Sequence, residues 1–194
     1  MTTFFTSDTH FGHARIIEYC NRPFSSVEEM DETIINRWNI VVDHDDTVIH
    51  LGDFTLGNLE VAKKYIGQLN GHIKILGYNW HHDARWLKDM KPSSVICSAS
   101  GHPIEILPPM VVIEYRKSKK HPHVLVLCHY PILVWDRKHY GAWHLYGHTH
   151  GTCDLPGYCF DIGVDSNHFY PISISGVERQ MRAYGWKEPD DGGA

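Results

Sequence analysis

The chain has 194 residues, 42% of them apolar and 21% charged, with a formal net charge of −5. That length and composition fit one globular domain with a single sizeable core, and the acidic balance argues against a protein that gains affinity by broad neutralisation of a nucleic-acid backbone. Five cysteines without a CxxC pair point to reduced thiols in a cytoplasmic protein, and Met1 to Asp8 has neither the basic region nor the long apolar stretch of a leader or membrane span.

In chain order, Thr2 to Thr6 reads as a short buried strand that stops at Ser7-Asp8, and Gly12-His13 leads into a short helical stretch, Ala14 to Tyr19. Ser26-Val27-Glu28-Glu29 is a capping-box pattern, in which Ser26 and Glu29 satisfy each other's backbone donors. The helix it starts carries Met30, Ile34, Trp38 and Val41 on one apolar face. After a turn at Asp45-Asp46, Thr47 to Leu51 is an apolar strand stopped by Gly52-Asp53. Leu59 to Leu69 reads as a helix closed by Asn70-Gly71, and His72 to Leu76 as a strand stopped by Gly77. This alternation of strand and helix is the pattern of a layered α/β fold.

Further strands are expected at Val95-Ile96-Cys97, Ile104-Glu105-Ile106, Val111 to Tyr115, Val124 to Cys128, Trp143 to Tyr146 and Cys159 to Val164. Arg116 to His123 reads as a solvated basic loop and Gly176 to Ala183 as a last helix. No repeat or linker divides the chain. One domain is therefore expected over 1–185, followed by a disordered tail over 186–194.

Sixteen histidines are an invitation to look for a site, since imidazole is the commonest metal-binding side chain. Five apolar strands end in metal-binding residue types: Asp8-Thr9-His10, Gly52-Asp53, Gly77-Tyr78-Asn79, Cys128-His129 and Gly147-His148-Thr149-His150. Ligands of open α/β sheets bind beyond the carboxyl ends of strands, so residues scattered in sequence converge by architecture. In extended chain, residues two apart point the same way. Asp8 with His10, and His148 with His150, can then each present a pair of donors to one site. Mixed carboxylate and imidazole donors suit Mn²⁺, Fe or Zn²⁺ better than thiolate or all-oxygen chemistry does.

The ordered set Ser7-Asp8-Thr9-His10-Phe11-Gly12-His13, Leu51-Gly52-Asp53-Phe54, Leu76-Gly77-Tyr78-Asn79, Cys128-His129-Tyr130-Pro131 and Tyr146-Gly147-His148-Thr149-His150-Gly151 resembles the calcineurin-like metallophosphoesterase family, most of all its compact single-domain bacterial and phage members. The similarity runs from about Thr3 through Gly176, including Asp161 to Asp165 and Tyr170 to Ser173. The resemblance implies an α/β sandwich of two facing mixed β-sheets flanked by helices, with two divalent metal ions, manganese first and iron, zinc or nickel as alternatives, at one rim. It implies Asp8, His10 and His150 on one ion, Asn79, His129 and His148 on the other, and Asp53 bridging both. A hydroxide shared by the ions would be the nucleophile in hydrolysis of a phosphate ester.

One stretch departs from the family pattern. Where Gly-Asn-His-Asp or Gly-Asn-His-Glu is usual, this chain has Gly77-Tyr78-Asn79-Trp80-His81-His82-Asp83. The proton donor to the leaving group is then His82, which keeps the His-Asp pair, or His81, two residues beyond Asn79. His13 either lies beside the phosphate or caps its turn, and His50 reads as a core residue. His44, His72, His102 and His144 have no partner spacing that lifts them above surface or structural roles. Tyr130, Trp135, Tyr140 and Trp143 either stack on a substrate ring or belong to the core. The expected partner is a small phosphoester or nucleotide, with nucleic acid ranked lower because no basic face is visible. The alternative functions are a catalytically dead scaffold of the same fold and a nuclease.

Overall fold

The computed structural model describes residues 1–77, 82–91, 94–115 and 123–187. Strands β1 (Thr3–Thr6), β2 (Thr47–His50), β3 (His72–Leu76) and β4 (Glu105–Leu107) run parallel, and β9 (Ile172–Ser173) adds an antiparallel edge to β1, giving the order β4-β3-β2-β1-β9. A second sheet, β5-β6-β7-β8, comprises β5 (Met110–Tyr115), β6 (His123–Cys128), β7 (Trp143–Tyr146) and β8 (Cys159–Asp161); β5 is antiparallel to β6 and the rest are parallel. The fold is thus α/β, with two mixed sheets.

Alternation along the strands builds three apolar layers. Phe5, Ile49, Leu51 and Leu76 of the first sheet meet Leu125, Leu127, Trp143 and Leu145 of the second, with Val177 and Met181 of helix α5 (Ile174–Ala183) closing one side. On the outer face of the first sheet, Phe4, Val48, Ile73 and Ile75 pack under helices α1 (Arg15–Tyr19), α2 (Val27–Val41), α3 (Leu59–Ile66) and α4 (Ala84–Leu87). Outside the second sheet, Val124, Val126, Tyr146 and Cys159 are covered by Trp135, Ala142 and Leu155. Every residue of β6 is buried, as expected of a strand covered on both faces. Among the described residues no helix is long and apolar enough to cross a membrane.

Helix α2 buries Met30, Ile34 and Trp38 on the apolar face expected. Its cap differs in one bond. Ser26 Oγ accepts the Glu29 N–H at 3.2 Å, but the Glu29 carboxylate takes the N–H of Ser25 at 2.8 Å and its hydroxyl at 2.6 Å, so the reciprocal half of the box closes one residue early. One expected strand is absent and another is shorter. Residues 95–97 form no strand and contribute only an isolated bridge from Cys97 to Pro103, because the following Ser98–His102 turn folds the chain back on itself. The strand expected over 159–164 ends at Asp161, where the backbone enters a short 3₁₀ turn at Val164–Ser166. Helices α4 and the two-residue strand β9 carry too little periodicity to be read from sequence.

The expected tail boundary is also corrected. Trp186 is 4% exposed, with its ring 4.9 Å from that of Trp143 and 4.7 Å from that of His123, and the Arg182 guanidinium lies 5.0 Å above it. The chain therefore folds through at least Trp186, and only 188–194 of the expected tail lies outside the described residues. Removing a buried tryptophan loses its transfer free energy and leaves a cavity. Trp186→Ala should lower the free energy of unfolding by about 3 kcal/mol in urea denaturation, where a true tail residue would change nothing.

Candidate metal centre

β1, β2, β6 and β7 all direct their carboxyl ends to one rim, where each continues into residues of the predicted site. Asp8, His10 and His150 bring one donor atom each within 4.8 Å of one another, and so do Asp53, His129 and His148. Asp53 lies on the seam between the groups: its Oδ2 is 3.5 Å from His10 Nε2 and 3.6 Å from His129 Nε2. The rings of His10 and His150 stack at 5.3 Å, and those of His129 and His148 meet at 5.1 Å. Six of the seven candidate ligands are thus gathered at one place. Asn79 and the candidate acid His81 lie outside the described residues.

The local geometry differs from the extended chain assumed for these loops. Asp8, His10, Asp53, His148 and His150 all have positive φ, between 48° and 69°. Left-handed backbone is costly for a side chain with a Cβ and clusters at functional sites. His148 and His150 do not serve one group, as two-residue spacing in an extended chain would have it; they divide between the two. Glycine makes the crowding possible. A Cβ on Gly147 would collide with Asp8 Oδ2 and Ser7 Oγ, and one on Gly52, at φ +121°, would sit 3.1 Å from His129 Nδ1.

Hydrogen bonds pin the loops. The Asp8 carboxylate accepts the His148 N–H at 3.0–3.1 Å, joining the first strand end to the last. Arg22, buried although it is never apolar, donates to Asp165 through Nε and one Nη at 2.8 Å each and to the carbonyls of Asp8 and Thr9 at 2.7 and 3.2 Å. Asp165 in turn accepts His150 Nδ1 at 2.6 Å, which fixes the tautomer and leaves Nε2 as the lone pair of that ring. Asp161 holds the same loop by accepting from Thr149 Oγ1 and Gly151 N. His50, in the core as expected, accepts the Gly52 N–H on Nδ1 at 3.1 Å; Nε2 therefore carries the proton and donates to Thr9 Oγ1. Asp83 accepts the N–H groups of Phe54 and Thr55 and the indole N–H of Trp86, and so ties the Asp53 loop to the segment after β3.

The electrostatics fit donors awaiting a cation. Burial holds the Asp8 carboxyl well above the usual range and pushes Asp53 up to about 7. Burial, reinforced by Arg22 and His150, keeps His10 far below an ordinary imidazole and hence neutral. His10 is 2% exposed, and neither of its ring nitrogens has a hydrogen-bond partner among the described residues. For His150 burial acts downward, but the Asp165 hydrogen bond and the charges of Asp8 and Asp165 outweigh it and raise the pKa. Cys20 also approaches His150 and Asp165, and burial pushes its thiol up to about 11.

Around the donors, the exposed ring of His82 stands 5.7 Å from that of His10, and so does the half-buried ring of His13. α1 begins without a side-chain cap, and His13 Nδ1 has no hydrogen-bond partner among the described residues. Tyr130 lies at the rim, 4.7 Å from the His148 ring, while Trp135 and Trp143 are core residues and Tyr140 is exposed. Buried His144 is structural, accepting Ile132 N–H on Nε2 and donating from Nδ1 to Val126 O. Sequence reasoning missed Arg22 altogether. It recorded Asp161 and Asp165 only as part of a similar segment, although their i, i+4 placement after a strand was the available signal.

No family model matches the sequence. Over a 178-residue alignment the chain is 49% identical to the uncharacterized protein MJ1445 of Methanocaldococcus jannaschii, covering 87% of this chain and 84% of that protein. A 56-residue stretch, 29% of this chain, is 48% identical to the Gene 66 protein of Mycobacterium phage L5 and covers 27% of it. Among solved structures, the protein of unknown function AQ665 from Aquifex aeolicus has a similar fold, with a TM-score of 0.64 at 22% identity over 92% of this chain and 98% of that one.

Removing the guanidinium that neutralises buried Asp165 leaves a charge and two carbonyls without their partner. Arg22→Met should therefore cost about 3 kcal/mol or more of unfolding free energy, measured in urea. Arg22→Lys should recover little of it, since one ammonium cannot reproduce the fork across Asp165 and two carbonyls.

Proposed function

We propose that this chain, which belongs to the family of the Methanocaldococcus jannaschii protein MJ1445, is a two-metal phosphoesterase with a calcineurin-like sandwich fold. The observation that carries the reading is the Asp53 carboxylate, one of the three donors of its own group, whose Oδ2 lies within 3.6 Å of a histidine from each group. The donors fit the ions. Both groups mix carboxylate with imidazole, and His10 is buried, neutral and without a hydrogen-bond partner among the described residues, a condition whose free-energy cost a bound cation would offset.

Asp8, His10 and His150 would hold one ion and Asp53, His129 and His148 the other, with Asp53 placed to serve both. Two divalent ions bound there would lower the pKa of water toward neutrality and offset charge on the phosphoryl oxygens of an in-line displacement. Asp165 orients His150, and Asp8 in turn fixes the His148 backbone, so the donors are set before substrate arrives. His82 is the proton donor to the leaving group: its ring is exposed at the rim and meets that of His10 edge-on at 5.7 Å. A small phosphoester or nucleotide suits a rim where the half-buried ring of Tyr130 stands 4.7 Å from that of His148.

With Mn²⁺, the protein should hydrolyse bis(p-nitrophenyl) phosphate, and Asp53→Asn or His148→Ala should each reduce the rate by more than ~100-fold. Unchanged rates in both variants would overturn the reading, and a protein that retains no metal and turns over no phosphoester would be the scaffold instead. His82→Ala should slow esters with poor, alkyl leaving groups by roughly 100-fold and nitrophenyl esters far less. Equal losses on both would remove His82 from the role of acid.

A further inference from the structure

A second group of imidazoles lies at the opposite end of the first sheet. His44 sits in the turn between α2 and β2, His72 opens β3, and His102 ends the tight loop that leads toward β4. All three are on the amino side of their strands, separated from the metal rim by the length of β2, four residues or ~13 Å. Donor atoms of His44, Asp45 and His102 come within 4.8 Å of one another. His44 Nδ1 is 2.8 Å from Asp45 Oδ1, the His44 and His102 rings are 4.8 Å apart, and His72 stacks on His102 at 3.5 Å with the planes 17° apart.

The frame under these residues is rigid. Asp46 accepts the N–H of Asp43 at 3.0 Å and of Thr2 at 2.6 Å, closing the turn that carries His44 and Asp45. The His102 loop is closed by Ser98 N to His102 O and Gly101 N to Ser98 O, both at 2.9 Å. The two loops are joined through β3, since His72 N donates to Asp46 O at 2.7 Å and Gly71 N donates to Ser100 Oγ at 2.9 Å. Within this frame His102 Nε2 is closed off from solvent and has no hydrogen-bond partner among the described residues, the state in which an imidazole nitrogen gains most from a cation.

We propose that His44, Asp45 and His102, with His72 stacked behind, form a further metal site, independent of the rim centre, for a borderline divalent ion such as Zn²⁺, Ni²⁺ or Cu²⁺. Imidazole donors favour these ions over Mg²⁺ or Ca²⁺, and the solvent side leaves room for water in the remaining coordination positions. An ion there clamps the α2–β2 turn to the β4 loop.

The test is Zn²⁺ titration of the full chain by calorimetry, with bound metal counted after desalting. His102→Ala and His44→Ala should each bind one Zn²⁺ fewer per chain than the parent. Asp53→Asn should retain the equivalent that they lose. His44 is exposed, so its variant keeps the test valid if His102→Ala misfolds. Cu²⁺ added below one equivalent should broaden the imidazole NMR signals of His44, His72 and His102 together. Equal Zn²⁺ stoichiometry in the parent and His44→Ala, or broadening that leaves these three signals sharp, would overturn the site.

Discussion

Asp53 brings a carboxylate into the seam between two sheets and leaves it 3% exposed among imidazoles that come from both. A buried carboxylate resists ionisation, and the direction of its shift here states the cost. Little of the surrounding architecture is explicable until that cost is considered. Parallel strands point their carboxyl ends one way, which collects backbone turns and polar residues where a central core would refuse them.

The left-handed turns at Asp8, His10, Asp53, His148 and His150 add strain, of order 1–3 kcal/mol each, and something must hold them there. Arg22, Asp31, His50, Asp83 and Asp161 do so. His50 and Asp161 close their strands while Arg22, Asp31 and Asp83 lie elsewhere, yet each of the five reaches a ligand loop. Asp31, on α2, accepts the Gly12 N–H and the Tyr65 hydroxyl, and so anchors the His10 loop against two helices. Many of the polar side chains buried among the described residues, Ser7 to His10, Asp53, Thr55 and His129 among them, lie where the backbone departs from regular structure.

The strand ends were legible in the sequence because ligand-type residues follow short apolar runs, and a strand's end is a local property. The geometry beyond the ends was not. Reading Asp8-Thr9-His10 as extended gave a reasonable grouping for the wrong reason, since left-handed φ at both residues brings their donors together. Arg22 was invisible, because a buried arginine is defined by partners more than a hundred residues away in Asp165. Trp186 looked like the start of a polar tail because its neighbours are polar, whereas its own ring is held by Trp143 and His123. His44, His72 and His102 looked unrelated for the same reason: pairing of β2 with β3 assembles them, and no spacing along the chain records it.

The layer of Phe5, Ile49, Leu51, Leu125, Leu127 and Leu145 does more than exclude water. Because each donor group draws on loops of both sheets, one mainly on the first with His150 crossing over and the other mainly on the second with Asp53 crossing over, this aliphatic filling works as a spacer between the two halves of the rim. A methylene gained or lost in the middle of the protein is transmitted to the jaws, so tolerance to substitution in that layer is governed by ångströms at the far end as much as by the volume it fills.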